Sequence, residues 1–226
     1  MTHTHDPDTL TRDPHAREQV LLGGAPLQQA PYALVLVHGR GGTADGMLPI
    51  ARAAGAADGA WIAPRAAGGS WYPHRFLDAF ASNAPYLDSA LAAVQRGVQV
   101  AVDAGISHDR ILLVGFSQGA CLSLEYAARH GRRYGGVAAL AGALIGDDRD
   151  VRQDHGDLAG TPVLLACGDA DSHIPEVRVR RSAEQLTAQG AITDLRIYPG
   201  VDHTIVGDQL AALRAMVDGL RETRGA

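Results

Sequence analysis

Ser117 stands in Gly115-Phe116-Ser117-Gln118-Gly119, at the end of the apolar run Ile111-Leu112-Leu113-Val114. The spacing Gly-x-Ser-x-Gly asks for a strand, an abrupt turn and a helix, with the serine at the tip. A side chain at either glycine would meet the neighbouring strand or helix. The serine takes a strained backbone that lifts its Oγ clear of the sheet. A serine hydroxyl is a poor nucleophile at neutral pH, so it needs a base within hydrogen-bonding reach. The base in turn needs a carboxylate to fix its tautomer and stabilise the imidazolium that forms. Attack on a carbonyl also builds charge on its oxygen, which needs fixed N–H donors where that charge develops.

The chain offers each of these parts. His203, in Pro199-Gly200-Val201-Asp202-His203, is the only histidine in the loop between the last predicted strand and the last predicted helix. His130 falls near a helix end, His74 in an aromatic loop, and His108 before a strand on the opposite edge. His173 competes, but it shares a loop with the acid, two residues away. Asp171 of Gly168-Asp169-Ala170-Asp171 is the favoured acid, because it stands far enough out to reach the histidine loop. Asp169 stays open as the alternative and otherwise braces its own loop, while Asp202 reads as a cap for the last helix. One oxyanion donor is the backbone N–H of Gln118, at a helix start where the dipole assists. The second is the N–H of Arg40 in His38-Gly39-Arg40-Gly41, with His38 organising that loop by hydrogen bonding. Trp71 and Tyr72, in a chain where aromatics are scarce, read as a substrate wall at the mouth, the alternative being a loop pinned to the surface by its aromatics. The Arg40 side chain has two readings, a contact to a carboxylate or phosphate on the substrate and a surface pairing with a nearby acid.

These residues need elements that bring them to one edge. Ala33–Val37, Ala60–Ala63, Ile111–Val114, Gly136–Gly142, Pro162–Cys167 and Asp194–Tyr198 are short, nearly continuous apolar runs, as in strands covered on both faces. Helical patterns alternate with them over 44–55, 88–104, 118–130, 176–189 and the closing segment with Leu210, Leu213, Val217 and Leu220. The alternation predicts an α/β fold, with a mostly parallel central sheet and helices on both faces. Ser117, Asp171, His203 and the Arg40 loop all follow carboxyl ends of strands, where ligand chemistry gathers in such sheets. Glu18 to Leu22 reads as a short edge strand before a Gly23-Gly24 turn. Residues 1–16 read as a flexible N-terminal tail with solvated histidines at His3, His5 and His15, and 17–226 as one domain. Cys121 faces inward as a small core residue, and Gly146 to Gly160 is a surface excursion with His155 solvated.

Composition excludes other chemistries. The chain of 226 residues has no lysine, which removes a Schiff-base lysine, a P-loop lysine and a Ser–Lys dyad. A net charge of −5 leaves no basic footprint for nucleic acid. Cys121 and Cys167 are the only cysteines, too few for a disulfide framework or a cysteine-built zinc site. No metal and no cofactor is expected. No apolar run approaches a membrane span, so stable membrane insertion is not expected and cytoplasmic residence is. The expected partner is a small-molecule ester, and self-association as a homodimer stays open.

His38-Gly39-Arg40-Gly41, Gly115-Phe116-Ser117-Gln118-Gly119, Gly168-Asp169-Ala170-Asp171-Ser172-His173-Ile174-Pro175 and Gly200-Val201-Asp202-His203 together resemble the phospholipase/carboxylesterase family of small α/β-hydrolases. That family includes bacterial carboxylesterases and acyl-protein thioesterases, and the resemblance runs from about Tyr32 to the last helix. It implies an α/β-hydrolase fold without a separate cap domain, and a Ser–Asp–His triad on Ser117, Asp171 and His203. It also implies an oxyanion hole from the main chain of Arg40 and Gln118. The expected activity is hydrolysis of short-to-medium acyl or aryl carboxylic esters through an acyl-enzyme. The alternatives are a lysophospholipase or acyl-thioesterase with the same triad, and a non-catalytic ligand-binding protein of the same fold. The thioesterase branch usually has a leucine and an acidic residue in the first loop, where this chain has Arg40 and Gly42. Ser70-Trp71-Tyr72-Pro73 looks more like a bacterial esterase subgroup.

Overall fold

A computed structural model describes residues 13–152 and 154–222. The apolar runs become strands β1 (Leu21–Gly24), β2 (Ala33–Val37), β3 (Ala60–Ala63), β4 (Ile111–Phe116), β5 (Gly136–Leu140), β6 (Pro162–Gly168) and β7 (Ile192–Tyr198). They form one sheet in the order β1-β3-β2-β4-β5-β6-β7. β1 pairs antiparallel with β3, and every other pairing is parallel. The helices are α1 (Ala44–Ala53), α2 (Phe80–Asn83), α3 (Tyr86–Asp103), α4 (Gln118–Arg129), α5 (Glu176–Ala188) and α6 (Gly207–Glu222). Among the described residues no helix is long and apolar enough to cross a membrane.

Strand side chains alternate between the two faces, and the sheet therefore has two cores. Ala33, Val35, Val37, Ile111 and Leu113 pack with α3, α4 and α5. Leu34, Leu36, Leu112 and Val114 pack with α1 and α6. β2, β4 and β5 lie inside the sheet and are buried on both sides, which explains why their sequences run apolar without a break.

Two expectations need correction at the N-terminal end. The edge strand is Leu21–Gly24 rather than Glu18–Leu22, and Gly23-Gly24 pairs with Trp61 and Ala60 instead of turning. A Cβ on Gly24 would lie 2.3 Å from Gly59 O, so glycine is what lets β1 close on β3 there. The tail expected over 1–16 falls mostly outside the described residues, but Asp13 and His15 are bonded to α3 and His15 is fully buried. His15 is therefore not solvated, because both ring nitrogens have main-chain partners.

Candidate active site

The turn at Ser117 is built by two close approaches. A Cβ on Gly115 would stand 2.2 Å from Gly119 O, and one on Gly119 would stand 2.1 Å from Val37 O. With both glycines, α4 starts directly above the end of β4 and drops against β2. Ser117 takes φ 55° and ψ −121°, a left-handed conformation that costs a non-glycine residue about 1–3 kcal/mol. The strain is held by Ser117 N–H donating to Leu140 O on β5 and Cys121 N–H donating to Ser117 O in the first turn of α4.

The loop after β7 brings His203 to this tip. Its Nε2 lies 2.7 Å from Ser117 Oγ, and its Nδ1 lies 2.7 Å from Asp171 Oδ2. The Phe116 ring, 5.3 Å away between centroids, supports the imidazole. Asp171 Oδ1 accepts from the N–H groups of His173 and Ile174 at 2.8 and 2.9 Å. Burial penalises the Asp171 carboxylate, but the bonds from His203, Ile174 and His173 outweigh it and hold the carboxyl below its ordinary range. An ionised Asp171 places the imidazole proton on Nδ1 and leaves Nε2 to accept from the serine hydroxyl. Ser117, His203 and Asp171, named from three separate loops, thus form one hydrogen-bonded relay.

The alternatives fall to other work. Asp169 Oδ1 accepts from Gly200 N–H at 2.7 Å and ties the acid loop to the histidine loop. Asp202 accepts from the N–H of His203 itself rather than capping α6, which begins only at Gly207. His173 sits edge-on to His203 with centroids 4.8 Å apart, at the rim of the site. Cys121 is buried and its thiol is pushed up to about 12 by burial, so it stays protonated at neutral pH.

The backbone N–H of Gln118, at the first position of α4, and that of Arg40, in the loop after β2, flank Ser117. Neither has an acceptor among the described residues. A Cβ on Gly39 would lie 3.2 Å from Ser117 Cβ, which shows how closely that loop passes the serine. His38 organises it: Nδ1–H donates to Gly39 O, and Nε2 accepts from Ala66 N–H. The Arg40 side chain lines the cavity over Ser117, and no acid is paired with it among the described residues. Its guanidinium donates to the carbonyls of Tyr72, Pro73 and His74 at 2.9, 2.8 and 2.6 Å, and so fastens the 70–74 loop.

Trp71 is not at the mouth. Its indole is fully buried, donating from Nε1 to His38 O at 2.7 Å, with the ring 4.8 Å from that of His38. An aromatic with a polar N–H is placed well where that N–H meets a buried carbonyl, and here it supports the His38-Gly39-Arg40 loop. Tyr72 does line the cavity over Ser117, as its inner wall beside Cys121. The cavity measures about 530 Å³, with Phe76 and Ile174 as apolar lining and Arg75, His74 and His173 toward solvent. Among the described residues no group of three or more His, Cys, Asp or Glu is arranged to hold a metal.

Sequence reading missed two participants. The Gln118 side chain accepts from Trp71 N–H at 2.9 Å and donates to Tyr72 O at 2.8 Å, joining the elbow to the aromatic loop. His15 reaches the same loop from the N-terminal side. Gln118 had a signal, because a buried amide at a helix start must find both donors and acceptors. His15 had none, since an isolated histidine in a polar segment gives no periodicity.

Comparison with known proteins agrees with this architecture. A crystal structure of a phospholipase/carboxylesterase from Dyadobacter fermentans superposes with TM-score 0.85 at 40% identity, covering 88% of this chain and 96% of that one. Acyl-protein thioesterase 1 of Eremothecium gossypii is 26% identical over 84% of this chain and 90% of its own length. That of Gibberella zeae is 31% identical over 53% of this chain, and the chain spans about half of it, 52%. The sequence pattern of the phospholipase/carboxylesterase family matches residues 24–220. The chain therefore belongs to the phospholipase/carboxylesterase family of α/β-hydrolases, enzymes that act on ester bonds.

Proposed function

We propose that this protein is a serine carboxylesterase acting on short-to-medium acyl or aryl esters. The observation that carries the reading is the relay of two 2.7 Å contacts from Asp171 through His203 to Ser117. Ser117 Oγ attacks the ester carbonyl carbon as its proton passes to His203 Nε2. Asp171 stabilises the imidazolium, and the N–H groups of Gln118 and Arg40 hold the oxyanion. Collapse breaks the bond to the alcohol, which leaves with the proton from His203, and the acyl group stays on Ser117. A water then gives its proton to His203 and attacks the acyl carbon. The acid departs, and the proton returns to Ser117.

Size and access support small substrates. The cavity volume of about 530 Å³ lies within the range of small-molecule sites. Ser117→Ala tests the mechanism on p-nitrophenyl acetate and butyrate. Turnover falls to background if Ser117 carries the acyl group, and full turnover refutes the reading.

A second reading, a thioesterase or lysophospholipase with the same relay, is favoured by the relatives named acyl-protein thioesterase. Rates on p-nitrophenyl esters from C2 to C16, beside an acyl thioester, separate the two. A maximum at C8 or longer supports the second reading.

A further inference from the structure

The N-terminal segment makes a contact that the reaction does not require of it. His15 Nε2 donates to Trp71 O at 2.8 Å, and Nδ1 accepts from Ala67 N–H at 3.0 Å. His15 N–H donates to Ser89 Oγ on α3, while His15 O accepts from Arg96 at 2.8 Å. Asp13 binds the same Ser89 hydroxyl and pairs with Arg96. A fully buried histidine thus joins a segment outside the sheet to the loop beneath the oxyanion donors.

The loop it grips is held on its other side by His38. The two rings take consecutive amides: Ala66 N–H points to His38 Nε2, and Ala67 N–H to His15 Nδ1. Both rings flank Trp71, at 4.8 and 5.6 Å between centroids. From Trp71 the bonds run to His38 O through the indole and to Gln118 Oε1 through the main chain. Gly41 N–H donates to Gly69 O, which fixes the Arg40 loop to the same segment. Movement of 66–72 would therefore displace the Arg40 loop and the start of α4, which carry the free N–H groups.

We propose that His15 is a positioning residue: it clamps 66–72 against His38-Gly39-Arg40 and so sets the distance of the oxyanion donors from Ser117. The proposal rests on the esterase reading above. The imidazole suits the task because it presents one donor and one acceptor in a rigid ring, and it does so only when neutral. Burial lowers its basicity, while Asp13 and Glu18 oppose that and Arg96 reinforces it. His38 and Tyr86 also face it.

The test is steady-state kinetics of the full chain on p-nitrophenyl butyrate. Donors that bind only the developing charge alter kcat and leave KM. His15→Ala is expected to lower kcat by about ten- to a hundredfold with KM within about twofold. His15→Gln keeps an amide donor toward Trp71 O and is expected to recover part of that loss. Wild-type kcat in His15→Ala, a loss expressed in KM alone, or a Gln variant no better than Ala overturns the proposal. Should His15→Ala not fold, Ser89→Ala decides, since it removes the Ser89 bonds to His15 N–H and Asp13 and leaves the ring. A fall in its kcat of about threefold or more at constant KM supports the clamp, and wild-type kinetics overturn it. An inactive wild type would instead sink the esterase reading, which separates the two failures.

Discussion

A Cβ on Gly119 would lie 2.1 Å from the carbonyl oxygen of Val37, so α4 and β2 approach as closely as their backbones allow. That contact sets both halves of the site, because Val37 leads into the Arg40 loop and Gly119 follows Ser117 and Gln118. Gly119→Ala must push the two apart. The expected cost is about 1–3 kcal/mol of stability, with loss of ester turnover in whatever fraction remains folded. Urea unfolding followed by turnover on p-nitrophenyl butyrate checks both, and unchanged stability would mean that the approach is looser than described.

Asp171→Asn keeps the shape of the acid and removes its charge. Nδ1 of His203 then loses its ionised acceptor, and kcat is expected to fall by about 10³–10⁴. The carboxyl of Asp171 is below its ordinary value of 3.8 in the folded protein. A depressed carboxyl stabilises the fold fully above the unfolded value and loses that contribution as pH falls through the folded one. Melting temperature of the wild type should therefore drop as pH falls below about 4, the ordinary carboxylate range. The Asn variant should drop less over the same interval. Parallel curves would show that the carboxylate is not held by these bonds.

Arg40→Ala removes three bonds to the carbonyls of Tyr72, Pro73 and His74 and leaves its own backbone N–H. Because the guanidinium is occupied by main chain, activity on neutral and anionic esters should fall together, by about tenfold. Selective loss on esters bearing a carboxylate or phosphate would assign the side chain to substrate instead. Kinetics on a matched pair of such esters decides it.

Trp71→Ala distinguishes support from substrate contact. An indole buried against the His38-Gly39-Arg40 loop should cost about 3–5 kcal/mol when removed. A residue at the mouth would change KM and leave stability alone. Calorimetry beside kinetics reads both quantities, and a stable variant with raised KM would restore the reading of Trp71 as a wall.

The central strands and the relay were legible because their signals are local. β2, β4 and β5 are buried on both faces, so their sequences are apolar without interruption. Ser117 was marked by two glycines whose absent side chains make room for the turn. His203 and Asp171 followed from their places after strands. Trp71 and Tyr72 were harder, because adjacent aromatics look alike in sequence while their burial depends on what lies beneath. Tyr72 lines the cavity, whereas Trp71 found a buried carbonyl at His38. Arg40 shows the same limit, since its three acceptors are main-chain atoms more than thirty residues away. Nothing in the segment around His15 signals that its ring closes on Trp71 and Ala67.

In the proposed mechanism the hydroxyl of Ser117 is made nucleophilic by His203, 2.7 Å away. The most direct measurement is labelling by a fluorophosphonate, followed by mass mapping of the modified peptide. One adduct on Ser117 is expected in the wild type, with a strongly reduced rate in His203→Ala. No adduct, an adduct at another residue, or equal labelling without His203 would contradict it.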